Sequence, residues 1–146
     1  MAIEVKSEVF VERTPEEVAQ VMFNPKLDKL WIRGLSEVYP MESGLYRKGA
    51  KIERIGTFLN KKYSAKLLVT KFEKNSFVQI YADEPFEMSI KYRLKASDGG
   101  TNVSITIASI SEVDFNSPVS IISKSIKDSV DDDLKRFKLH LENNES

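Results

Sequence analysis

The chain contains no cysteine, which excludes disulfides, thiolate metal centres and cysteine nucleophiles together. Histidine occurs once, at His140, so a histidine-rich metal site is excluded and a Ser-His-Asp triad would rest on that single imidazole. Glycine is scarce, with 6 residues, and no glycine-rich loop of the kind that cradles phosphates appears. An excess of either charge sign is also missing: Lys+Arg and Asp+Glu both number 22, giving formal net charge zero. That balance argues against a nucleic-acid binder relying on a large positive field. No apolar run approaches a membrane span, and the opening MAIEVKSEVF lacks the apolar core of a signal peptide. The expectation is a cytoplasmic protein with no metal and no cofactor.

What is present is ordinary for a globular chain. Its 146 residues are 41% hydrophobic and 30% charged, enough for one domain, 1–146, with a real core. The most organised stretch is the last, residues 117–142. Val119, Ile122, Ile126, Val130, Leu134, Phe137 and Leu141 recur there at steps of three or four, forming one apolar helical stripe. Ser117 suits the N-cap and Pro118 the first turn, where a missing N–H costs nothing. A helix of roughly 26 residues at about 1.5 Å per residue spans nearly 40 Å and needs a broad apolar surface to lie on.

The rest of the chain supplies one. Residues 2–12 alternate, with Ile3, Val5, Val9 and Val11 on one side. Thr14-Pro15-Glu16-Glu17 is a capping box opening a helix that buries Val18, Val21 and Met22. Asn24-Pro25 caps a second short helix carrying Leu27, Leu30 and Trp31. Strands are then predicted at 36–41, 50–58, 63–73, 77–83, 86–96 and 101–113. Turns at 60–62 and 74–76, the break Glu84-Pro85 and the hairpin turn Asp98-Gly99-Gly100 separate the later ones. The cleanest alternation sets Phe86, Met88, Ile90, Tyr92 and Leu94 against Glu87, Lys91, Arg93 and Lys95. The order is strand, two short helices, six strands and a long helix, an α+β pattern in which a sheet wraps the helix.

TPEEVAQVMFNPKLDKLW after the first strand, ESGLYRKGAKIER before the third, and ADEPFEMSIKYRL followed by DGGTNVSITI carry a family likeness. With them the chain resembles the START-related polyketide cyclase/dehydrase and lipid-transport superfamily (SRPBCC) over nearly its whole length. The resemblance implies a helix-grip fold, a seven-stranded antiparallel curved sheet around the C-terminal helix, with a cavity between them. It also implies a small hydrophobic ligand of lipid, polyketide, sterol or quinone type. Catalytic residues do not follow from it, because the likeness contains no invariant catalytic motif.

Site candidates come from breaks in the pattern. On a wheel at about 100° per residue, Ser123, Asp133 and His140 fall within or beside the buried arc of the last helix around Ile126. Asp133 either presents a carboxylate to a ligand or pairs with Arg136 at i,i+3. Ser120, Ser123 and Ser125 leave room in the early turns, or face solvent. Arg54 shares the inward parity of Ala50, Ile52, Gly56 and Phe58. An inward arginine needs a carboxylate, with Asp133, Glu112 and Asp114 as candidates; the alternative is a bulge at Gly56 that turns it out. Tyr63, Phe86, Met88 and Tyr92 populate the concave face, with Trp31 over the mouth. The predicted cavity lining is thus Trp31, Arg54, Tyr63, Phe86, Met88, Tyr92, Ser123, Ile126 and Asp133. Asp131-Asp132-Asp133 is no metal cluster, since the three point in different directions on a helix.

Three functions fit this pattern. The first is binding or transport of a small hydrophobic or amphipathic ligand by a monomer or dimer. The second is a polyketide cyclase/dehydratase-type enzyme using the same cavity. The third is a protein-interaction module resembling chaperone-ATPase activators. A pocket carboxylate with a raised pKa favours the enzyme, and a filled core with an exposed apolar patch favours the interaction module.

Overall fold

A computed structural model describes residues 2–113 and 117–143. Strand β1 (Glu4–Val11) leads into helix α1 (Pro15–Met22) and a 3-10 helix (Pro25–Leu30). Strands β2 (Leu35–Pro40), β3 (Lys51–Phe58), β4 (Lys61–Glu73), β5 (Phe77–Ala82), β6 (Met88–Ser97) and β7 (Gly100–Ser109) follow, and helix α2 (Val119–Asn143) comes last. The strands form one antiparallel seven-stranded sheet in the order β1-β7-β6-β5-β4-β3-β2. Strands consecutive from β2 to β7 are neighbours, as hairpin connections dictate, while β1 joins the far edge beside β7. The two short helices carry the chain from one edge to the other.

Helix α2 lies against the sheet with Ile122, Ile126, Val130, Leu134, Phe137 and Leu141 buried, the stripe its spacing predicts. Its flank is tied to β1 by polar contacts: Ser7 donates to Asp131, Lys127 Nζ to the Lys6 carbonyl at 2.9 Å, and Lys138 Nζ to the Phe10 carbonyl at 2.6 Å. The helix begins one residue later than the sequence predicts. The Pro118 carbonyl accepts from Ile121 and Ile122, so Pro118 rather than Ser117 holds the cap position. The capping box of α1 is as predicted, with Glu17 N donating to Thr14 Oγ1 at 3.1 Å and Thr14 N to Glu17 Oε1 at 3.2 Å.

The second short helix departs from its expected phase, with consequences for the site. Leu30 is 51% exposed and Leu27 only half-buried, whereas Pro25, Asp28 and Trp31 are buried. The reason is its period. A 3-10 helix has three residues per turn, so positions 25, 28 and 31 share one face, and that face turns inward. An aspartate is thereby delivered to the core.

Two further details shape the concave side. The β3–β4 connection is Leu59-Asn60, both at positive φ (49° and 66°), one residue before the predicted turn. Gly56 pairs with Tyr63 in regular register, and the only β2–β3 shift lies between Leu35 and Glu37, so no bulge turns Arg54 outward. A Cβ on Gly56 would lie 2.6 Å from the Gly34 carbonyl oxygen and 2.8 Å from Tyr63 Oη. Glycine there lets segment 31–35 settle onto β3, where Thr57 N donates to the Gly34 carbonyl at 3.0 Å. Among the described residues, no helix is long and apolar enough to cross a membrane.

Candidate functional site

Between α2 and the concave face lies a cavity of about 160 Å³. Each element contributes by its own periodicity. Strand β6 sends in Met88, Ile90 and Tyr92, strand β4 Tyr63, Ala65 and Leu67, and strand β7 Ile105 and Ile107. Helix α2 closes one side with Ile126, Ser129, Val130 and Asp133, and segment 31–35 another with Trp31, Ile32, Gly34 and Leu35. Phe58 of the β3–β4 hairpin and Glu84, Pro85 and Phe86 from the β5–β6 connection complete the lining.

Arg54 lines the cavity from β3, and its surroundings are the most specific feature of the molecule. Its Nη2 lies 2.8 Å from Asp28 Oδ2, 3.0 Å from Tyr46 Oη and 3.3 Å from Tyr92 Oη. Tyr46 Oη also donates to Asp28 Oδ2 at 2.8 Å. Two protons on Nη2 serve three oxygens, so Tyr92 at 3.3 Å is the most loosely held. The partner of Arg54 is therefore Asp28, not Asp133 or Glu112 as the sequence proposed; Asp114 lies outside the described residues. Asp133 is taken up elsewhere, and the 3-10 phase puts Asp28 nearer. Burial pushes the Asp28 carboxyl above the ordinary aspartate range, and the Arg54 charge and the Tyr46 and Arg54 hydrogen bonds pull it partly back. Burial raises the Tyr92 hydroxyl too, against the lowering effect of Arg54.

Asp133 sits nearer the solvent side of the lining. Its Oδ1 accepts from Arg33 N at 3.2 Å and from Arg136 Nη2, while Arg136 Nε donates to the Trp31 carbonyl at 3.2 Å. The i,i+3 partnership with Arg136 is present, and with it a tie between α2 and segment 31–35. Burial pushes the Asp133 carboxyl up, opposed by the Arg33 amide and the Arg136 charge.

Of the lining residues predicted from sequence, Trp31, Arg54, Tyr63, Phe86, Met88, Tyr92, Ile126 and Asp133 all face this space, and Ser123 does not. Ser123 lies about 60° round the helix from Ile126 on the β1 side, and Ser129, which does line the cavity, about 60° to the other side. The cavity also follows the middle turns of α2 rather than the serine-rich early ones, where Ile122 is fully buried. Trp31 is not poised over a mouth. It is 1% exposed and packs edge-on against Tyr92 at 5.9 Å and Phe137 at 5.2 Å. His140, half-buried on α2, is not part of the lining. Among the described residues, no group of three or more acidic or histidine side chains is placed to hold a metal ion. Sequence reasoning missed Asp28 and Tyr46. Only a 3-residue period through Pro25, Asp28 and Trp31 could have pointed to the first.

A curved sheet gripping one long helix is an arrangement with many solved counterparts. Ara h 8.0201 is similar at TM-score 0.74 and 15% identity, over 99% of this chain and 100% of that one. SA2116 from Staphylococcus aureus, a protein of unknown function, is similar at TM-score 0.76 and 14% identity, over 98% and 95% of the two chains. The chain has the helix-grip fold. DynU16, from the dynemicin biosynthetic locus, is similar at TM-score 0.70 and 17% identity, over 95% of this chain and 47% of that one. No protein-family model matches the helix-grip chain, and no curated protein matches its sequence. At such identities the likeness establishes the fold, and any activity has to be argued from the cavity.

Proposed function

We propose that the protein binds a small, largely apolar ligand in the cavity between α2 and the sheet. The observation that carries this is the about 160 Å³ of space walled by aliphatic, methionine and aromatic side chains, which in protein interiors ordinarily pack solid. A filled core with an exposed apolar patch, which an interaction module would favour, is not what this lining resembles. The volume also limits the guest. It is close to the roughly 150 Å³ apolar cavity that admits benzene and below the roughly 300–1,000 Å³ of drug-sized pockets. One or two fused rings match the space. The test is ligand-observed NMR with naphthalene and with cholesterol. Saturable naphthalene binding, lost in Ile126→Trp, supports the reading, and its absence from the native protein sinks it.

A second reading rests on Asp133, a cavity-lining carboxyl that burial pushes toward its protonated form. Such a group can exchange protons with a bound reactive chain, as a cyclase or dehydratase requires, and DynU16 comes from a biosynthetic locus. On this reading Asp133→Asn keeps naphthalene binding but stops consumption of a poly-β-ketone supplied as substrate. Unchanged consumption removes Asp133 from any catalytic role.

A further inference from the structure

Several side chains that line the cavity carry hydrogen-bond donors with no partner among the described residues, and Arg54, Tyr92 and Tyr63 lie close enough together to act on one guest. Arg54 donates through Nη2 alone, so its Nη1 and its buried Nε have no partner among the described residues. Tyr92 Oη accepts from Arg54, but no described residue accepts the Tyr92 proton. Tyr63, diagonally across from Arg54 on β4, makes no side-chain hydrogen bond to a described residue. Each of these three side chains lines the cavity. Around them the walls are Ala65, Leu67, Ile90 and Met88, so the donors form one polar spot in an apolar surface.

Donors without acceptors call for a guest oxygen, and the charges decide which kind. Among the described residues, Arg54 is the one cationic side chain in the lining, and Asp28 already neutralises it at 2.8 Å with both groups buried, at 8% and 0% side-chain exposure. The lining also holds two acidic side chains, Asp133 and Glu84. A guest carboxylate would lose its hydration in a space whose formal charge is already balanced or negative, and nothing there compensates it. A neutral carbonyl carries no such penalty and accepts the same hydrogen bonds.

We propose that the inner end of the cavity selects an uncharged carbonyl compound, bound by its oxygen to Tyr92 and Arg54, over an apolar or carboxylate compound of the same shape. This rests on the cavity being a ligand site and names the chemistry of its guest. The Asp28–Tyr46 pair acts behind Arg54 as its orienting support: Asp28 fixes the guanidinium and cancels its charge, and Tyr46 holds Asp28. Tyr92 is turned toward the guest because its oxygen is engaged by Arg54 while its proton is not.

Three matched probes test this by isothermal titration at neutral pH: acetophenone, ethylbenzene and benzoate. One net hydrogen bond corresponds to acetophenone binding about fivefold to tenfold tighter than ethylbenzene. Benzoate is expected to show no saturable binding. Tyr92→Phe should lower the ketone-to-ethylbenzene ratio severalfold while ethylbenzene binding persists, which separates a lost donor from a collapsed cavity. If that variant does not fold, the native ranking of the three probes still decides. Equal binding of acetophenone and ethylbenzene, or benzoate at least as tight as the ketone, overturns the carbonyl assignment and leaves the apolar cavity standing. No binding of either neutral probe overturns the cavity reading, and the assignment with it.

Discussion

Arg54 and Asp28, 26 residues apart in sequence, meet at 2.8 Å with both side chains removed from solvent. One comes from the middle of β3 and the other from the short 3-10 helix between α1 and β2, behind Arg54 as seen from the cavity. The contact ties the crossover segment to the sheet and puts a neutralised cation at the inner end of the cavity.

Removing Arg54 should expose the cost of that arrangement. Arg54→Met keeps most of the apolar length and leaves Asp28 buried with only Tyr46. Losing one member of a buried pair costs about 3–5 kcal/mol, against well under 1 kcal/mol for an exposed arginine. The sign with pH follows from Asp28. Its carboxyl is already raised above 3.8 by burial, and without Arg54 it rises further. The folded state then holds a proton that the unfolded chain releases from about 3.8 upward, so stability falls as pH rises and the deficit shrinks in acid. Urea unfolding at neutral and acidic pH measures this. Adding Asp28→Asn should restore much of the loss at neutral pH; a silent Arg54→Met at both pH values would refute the pairing.

The packing of α2 gives a second test. Phe137 is fully buried beneath Trp31, whereas Leu139, two residues on, is 56% exposed. Phe137→Ala should destabilise by about 3–5 kcal/mol and shift the emission of Trp31, the single tryptophan. Leu139→Ala should stay within about 0.5 kcal/mol. Equal losses would mean that the helix presents a different face.

Asp133 offers a pH signature of its own. Burial raises its carboxyl from 3.8, so the group favours folding most when protonated and loses that contribution as pH rises through its folded-state value. Asp133→Asn removes this dependence while its amide oxygen can still accept from Arg33 N. The stability of the variant relative to the native chain should therefore improve as pH rises from below 3.8 toward neutrality. A relative stability that falls with pH would show that the Arg136 pairing outweighs burial.

Much of this architecture was legible because it depends on local periodicity. The i, i+3, i+4 spacing from Ile122 to Leu141 and the alternation from Met88 to Leu94 each bury one face, and a helix with one apolar stripe has to lie on a sheet with one apolar side. Inward parity likewise marked Arg54, Tyr63 and Tyr92 as facing the helix. The misassignments arose where position along the sequence does not determine direction in space. A 3-10 helix and an α-helix differ by only 0.6 residue per turn, yet that difference exchanges Leu30 for Asp28 as the buried residue. Ser123 and Ser129 are equivalent on a helical wheel centred on Ile126, and only the docking of β1 along one flank of α2 gives the cavity to Ser129. That Arg54 would need a carboxylate if it points inward followed from the sequence, since an unpaired buried guanidinium is too costly to keep; the regular β3–β4 register then settled its direction. The identity of that carboxylate as Asp28 was decided by the tertiary fold, because a partner is set by distance, and the distance between β3 and the 3-10 helix exists only once that helix has packed against the sheet.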